Sequence, residues 1–90
     1  FLNRMPRYKI IIDIMPLKNV LDPQGEAIEI SLKNSGNIKA SNFRVGKKIN
    51  FIISAPNKKI VDSQVQELCK KLLVNEVIEK YEYIIQDEKN

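Results

Sequence analysis

Asp22, Pro23 and Gly25 are the residues whose types and spacing point most clearly beyond packing. An aspartate at a helix start accepts free backbone N–H groups of the first turn. Proline fits the first helical position, where no N–H is needed. Leu21-Asp22-Pro23-Gln24-Gly25 therefore predicts a helix that runs through Glu26 to Leu32 and ends near Asn34. Gly25 is the anomaly, since glycine inside a helix costs about 1 kcal/mol relative to alanine. Either a tight turn needs it, or another group packs against the bare backbone. A helix N-terminus of this kind also attracts anions or a closely approaching partner.

Other chemistry is thinly represented. The 90 residues contain no histidine, which rules out Ser-His-Asp and Cys-His nucleophile arrangements. The single cysteine, Cys69, cannot form an intrachain disulfide and fits a reducing compartment. It falls on an apolar helical stripe, so core packing is its expected role. No Cys/His cluster offers a zinc site. Glycines 25, 36 and 46 stand singly and match no phosphate-binding loop. The carboxylates are scattered, and no acid/base pair stands out. The expectation is therefore no catalytic residue, no bound cofactor and no metal in this chain. Net charge is +4, with lysine doublets at 47–48, 58–59 and 70–71. Such doublets are ordinary solvated faces, or a surface that draws phosphates or nucleic acid.

The elements that must position these residues alternate between two periods. Tyr8 to Met15 is rich in β-branched residues and predicts a strand, with Tyr8, Ile10, Ile12 and Ile14 on one face. In the first helix, Ala27, Ile28, Ser31, Leu32 and Ser35 share a stripe, and Gly36 is the C-terminal cap. Ile38 to Val45 predicts a second strand, joined by a hairpin turn at Gly46-Lys47 to a third, Lys48 to Ser54. Ile49, Phe51 and Ile53 of that strand point inward. A second helix follows, with Asn57 and Asp62 competing as its cap. Lys58-Lys59 would sit badly at a helix N-terminus, which favours the later start. Val61, Val65, Leu68, Cys69, Leu72 and Leu73 form its apolar face. Lys80 to Gln86 predicts the last strand.

The order β-α-β-β-α-β predicts an α+β fold: a four-stranded antiparallel sheet with two helices on one face, the ferredoxin-like arrangement. Residues 8–86 form the single domain, residues 1–7 an N-terminal extension and 87–90 a polar tail. Met5 is a candidate natural start. No run approaches a membrane span and the N-terminus has no signal-like stretch. The uncovered sheet face carries Ile11, Met15, Ile52 and Ile84 among Lys9, Asp13, Asn42, Arg44, Asn50 and Glu82. On so small a domain that apolar row predicts self-association. RNA-recognition domains share this element order but stack bases on outward aromatics. The outward residues here are Lys9, Ile11 and Asp13 on the first strand and Asn50, Ile52 and Ser54 on the third, so nucleic-acid binding is not expected.

Three segments together resemble the PurS family, the small subunit of phosphoribosylformylglycinamidine synthase. They are Leu21-Asp22-Pro23-Gln24-Gly25, then Phe43-Arg44-Val45-Gly46-Lys47, then Cys69 to Asn75 with Val77-Ile78-Glu79-Lys80-Tyr81. Each alone is weak; their order and spacing make the set specific. The resemblance implies a non-catalytic, cytoplasmic subunit that forms dimers or larger assemblies and bridges a glutaminase subunit and a synthetase subunit. It implies that the complex, not this chain, uses ATP, Mg and glutamine to make the amidine of purine biosynthesis, and it raises a part in ammonia passage. The alternative is a small-molecule-sensing module of the same strand-helix order. Asp22, Gln24, Gly25, Arg44 and Lys47 are the candidate partner-contact residues, with Arg44 expected on the sheet face opposite the helices.

Overall fold

The computed structural model describes residues 5–88. β1 (Arg7–Pro16) leads to α1 (Pro23–Ser35), β2 (Lys47–Ser54), α2 (Lys58–Leu68), a π-helical turn (Cys69–Leu73) and β3 (Glu79–Asp87). The strands form a three-stranded antiparallel sheet in the order β2-β1-β3.

The core follows from the central strand. Tyr8, Ile10, Ile12 and Ile14 alternate onto one face and are buried. Ile10 stands opposite Phe51 and Ile85, and Ile12 opposite Ile49 and Tyr83, so the inward row continues across all three strands. Val61, Val65 and Cys69 recur every fourth residue and close over this row, together with Val74 and Ala55. Full burial of a valine or isoleucine side chain contributes roughly 1.5–3 kcal/mol.

That magnitude decides where α2 begins. Asn57 is the cap, accepting from the Ile60 N–H at 3.0 Å. The later start expected at Asp62 is not used. It would leave Val61 outside the helix, and burying Val61 outweighs the roughly 0.3–1 kcal/mol penalty of a cation near the helix start. Asp62 instead accepts the Tyr83 hydroxyl at 2.6 Å, tying α2 to β3.

The ends are paired further out than the sequence predicted. Arg7 belongs to β1 and Asp87 to β3. The Glu88 N–H donates to the Arg7 carbonyl at 3.0 Å, and their side chains pair at the same distance. Residues 1–4 of the expected extension and 89–90 of the expected tail lie outside the described residues.

The expected fourth strand, Ile38 to Val45, is absent among the described residues, and with it the hairpin at Gly46-Lys47. The donors that a ladder would use are taken by carboxylates of the helix that precedes the segment. Asn42 and Phe43 N–H donate to Glu29, at 3.2 and 3.4 Å, and Val45 N–H donates to Asp22 at 2.7 Å. Asn42 also takes φ 61°, outside extended geometry. Gly46 has no positive φ; a Cβ there would run into the Ile14 carbonyl and the Met15 sulfur. Its requirement is close approach to β1, not a turn.

The expectation of two helices on one face also fails. α2 packs over β1 and β3, whereas α1 contributes nothing to the core. Ala27, Ile28, Ser31 and Ser35 of its predicted stripe are exposed and Leu32 is half-buried. α1 and the segment that returns from it stand off the end of the sheet as an arm. The radius of gyration is accordingly 18.0 Å, against about 12 Å for a compact chain of this length.

Candidate functional site

The base of the arm is where three candidate partner-contact residues do their structural work, and the local sequence explains how. Asp22 caps α1, its Oδ1 accepting from the Gly25 N–H at 3.1 Å. Its other oxygen takes the Val45 N–H. These bonds, Val45 first and Gly25 second, hold the Asp22 carboxyl below its ordinary value. Gly25 is buried beneath the returning segment, and a Cβ there would collide with the Phe43 carbonyl oxygen. It is this chain's own backbone that approaches Gly25 so closely. Arg44 donates to the carbonyls of Leu17 at 2.6 Å and Val20 at 3.0 Å. It therefore does not stand on the outer sheet face or pair with Asp13 or Glu82, as expected from a strand at 38–45. Asp13 pairs with Lys48 at 3.7 Å instead.

Three of the five candidates thus brace the arm, and the remaining two face outward. Gln24 is exposed. Lys47 reaches Glu79 at 3.4 Å with its side chain still more than half exposed. Both rim a shallow groove of about 280 Å³ floored by Pro16, Val20, Val45 and Ile78. A wider, open cleft of about 1070 Å³ lies on the other side of the arm, between Met15 and Lys80 at the sheet end and Ile30 and Lys33 of α1. The structure brings all five residues to one end of the sheet.

Glu29 is the bracing residue that sequence reading passed over. Its signal was available: Asp22, Gly25, Glu29 and Leu32 follow helical spacing and share the face toward the returning segment. Glu79 is another, accepting the Asn75 N–H at 2.9 Å while holding Lys47.

The outer sheet face keeps most of its predicted apolar row. Ile11 stands directly opposite Ile84, and Ile52 lies one step along β2, opposite Lys9. Ile52 and Ile84 are exposed, at 42% and 52%. Met15 is separated from them at the far end of β1, where it packs against Gly46. Asn42 and Arg44 are not on this face.

Among the described residues there is no group of three or more metal-ligating side chains. Cys69 is buried, and burial raises its thiol pKa, with Glu76 adding to the effect. That favours the inert thiol and its packing role. Among the described residues, no helix is long and apolar enough to cross a membrane.

Known proteins give this arrangement a family. Residues 9–87 match the family model PurS, phosphoribosylformylglycinamidine (FGAM) synthase. The Thermotoga maritima phosphoribosylformylglycinamidine synthase subunit PurS is 40% identical over 78 residues, 87% of this chain and 95% of that protein. The Bacillus subtilis subunit PurS is 34% identical over 80 residues, 89% of this chain and 94% of that protein. The crystal structure of the Thermotoga maritima subunit superposes with a TM-score of 0.83 at 36% identity, over 92% of this chain and 95% of that one. A chain of the PurLQS structure from Thermotoga maritima superposes with a TM-score of 0.82 at 38% identity, over 90% of this chain and 99% of that one. With a family match across nearly its whole length, and relatives of its own size that share its fold, this chain belongs to the PurS family of FGAM synthase subunits.

Proposed function

We propose that this chain is the non-catalytic bridging subunit of a three-part FGAM synthase, joining a glutaminase subunit to a synthetase subunit in the cytoplasm. Membership of FGAM synthase, and so of purine biosynthesis, follows from the family. The observation that carries the bridging role is the close match to a chain of PurLQS, which accounts for 99% of that chain. In this reading the other subunits bind ATP, Mg and glutamine, and this chain holds them so that ammonia passes from one to the other.

The arm end of the sheet is the surface for that contact. Gln24 and Lys47 face outward beside an apolar floor, while Asp22, Gly25 and Arg44 keep the surface in shape from behind. A second copy covers the outer row Ile11, Ile52 and Ile84, making the chain a homodimer or a larger homo-oligomer. Burying apolar surface there contributes about 25 cal/mol per Å².

The test is co-purification and turnover. With a glutaminase and a synthetase of the same pathway, plus glutamine and nucleotide, the chain should elute as one complex. Elution apart from both subunits under turnover conditions refutes the bridging role.

A further inference from the structure

The wide cleft beside the arm is lined by four cations, Lys18, Lys33, Arg44 and Lys80, and by three carboxylates, Asp22, Glu26 and Glu29. The carboxylates are compensated from within. Asp22 and Glu29 are half-buried and take the N–H groups of Gly25, Asn42, Phe43 and Val45, whose dipoles offset their charge. Glu26 and Lys33 sit in the first and last turns of α1, each matched to its end of the helix dipole. Lys18, Arg44 and Lys80 remain. None of the three lies within ion-pair distance of a carboxylate among the described residues.

The fold gathers these three at the sheet end of the cleft. Lys80 of β3 stands opposite Met15 of β1, and the Leu17 N–H just beyond donates to the Ile78 carbonyl at 2.9 Å. Lys18 lies in the turn that follows. Arg44 grips that turn at both sides, using one nitrogen, Nη2, for the Leu17 and Val20 carbonyls. Its other guanidinium nitrogens have no partner among the described residues. A half-buried guanidinium is thus held in place between two exposed lysines.

We propose that Lys18, Arg44 and Lys80 hold an acidic segment of one of the larger subunits, a stretch with carboxylates beside an apolar side chain; this rests on the bridging role. The sign of the partner follows from the unpaired cations, and a guanidinium fork already held in place suits a carboxylate. The apolar element follows from Leu21 and Ile30, which line the same cleft and are 74% and 53% exposed. A chain segment fits the space better than a small ligand. The cleft is open and about 1070 Å³, beyond the roughly 300–1,000 Å³ of pockets that enclose small molecules. Joining two partners also takes two surfaces. The groove rimmed by Gln24 and Lys47 is one, and this cleft, on the other side of the arm, is the second.

The experiment assembles the chain with the glutaminase and synthetase subunits in the presence of glutamine and ATP, and follows co-elution. Lys18→Glu combined with Lys80→Glu should weaken the complex about tenfold or more at about 0.15 M salt. Lys58→Glu combined with Lys70→Glu makes the same charge change on α2 and the turn after it, outside the cleft, and should not. Should the charge reversal unfold the chain, Lys18→Gln combined with Lys80→Gln removes the cations alone and should weaken the complex in the same direction. The unmodified chain gives a second readout. A water-soluble carbodiimide, which joins an amine to a carboxylate as an amide and takes up the water released, should link Lys18 or Lys80 to an Asp or Glu of a larger subunit. A full-strength complex from the Lys18 and Lys80 variants, equal weakening by the α2 variant, or amides only between copies of this chain overturns the proposal and leaves the bridging role standing. Elution of the unmodified chain apart from both subunits overturns the two together.

Discussion

The Asp22 carboxylate and the Val45 amide, 23 residues apart in sequence, meet at 2.7 Å. One side chain therefore does two jobs: it caps α1 and it holds the returning segment against the helix. The cap alone is a local interaction; the bond to Val45 makes the helix start part of the tertiary structure.

Replacing Asp22 with alanine should lower Tm by about 5 °C or more, given the loss of a helix cap from a domain of this size. The contribution is also pH-dependent. The Asp22 pKa is lowered from 3.8 in the folded chain, so the ionised carboxylate favours folding at higher pH. That stability is fully present above the unfolded value near 4 and is lost as pH falls through the folded value. Thermal melts from pH 7 to pH 2 should show an acid-side fall below about pH 4 that is smaller in Asp22→Asn. Equal falls in the two proteins would contradict the assignment.

Gly25→Ala offers a sign test. Helix propensity alone predicts stabilisation by about 1 kcal/mol. The collision with the Phe43 carbonyl predicts the reverse, because a backbone oxygen cannot swing aside. Denaturant melts should show a lower midpoint for the variant. A higher midpoint would mean that the segment does not lie across the helix start.

Arg44→Ala should destabilise the arm by about 2 kcal/mol, the range for hydrogen bonds from a charged donor. It leaves the Leu17 and Val20 carbonyls without the guanidinium. Amide exchange should quicken at Val20 and Val45 while β1 and α2 keep their protection. Arg44→Lys should recover only part of the effect, since an ammonium lacks the planar fork. Unchanged exchange at both amides would remove Arg44 from the bracing network.

How much of this was legible in the sequence depends on how local each interaction is. The buried row of β1, the Asp22 cap and the Gly36 cap each rest on spacing within a few residues, and each formed; the α2 stripe formed through Val61, Val65 and Cys69, but the π-helical turn at 69–73 breaks the α period and leaves Leu72, expected on the stripe, exposed. The fourth strand was misread because Phe43 and Val45 alternate like strand residues, while their N–H groups bond to Glu29 and Asp22 far earlier in the chain. The position of Arg44 fell with that strand. α1 was placed on the sheet because a stripe of apolar residues implies something to cover, and periodicity does not say whose surface it covers. The helix start and the segment at 44–48 supplied the five candidate residues, but spacing could not show that they meet at one end of the sheet or separate the bracing three from the outward two.

Gln24 and Lys47 are the residues to vary when contact is to be separated from stability. Lys47 stays more than half exposed in its pair with Glu79, and such a pair contributes about 1 kcal/mol or less. Gln24→Ala combined with Lys47→Glu should leave Tm within a few degrees and weaken co-elution with the two larger subunits. A full-strength complex from this variant would move the contact surface elsewhere. For the outer face, Ile52→Asp should lower the assembly mass in light scattering, because it places a charge among Ile11 and Ile84. An unchanged mass would show that this face is free.

The chain alone should turn over neither glutamine nor ATP, and the decisive measurement follows from that. Glutaminase and synthetase subunits are combined with glutamine, ATP, Mg and formylglycinamide ribonucleotide, and amidine formation is followed with and without this chain. Glutamine-dependent synthesis should need the chain, while ammonia supplied directly should restore synthesis without it. Full glutamine-dependent synthesis in its absence would contradict the bridging role.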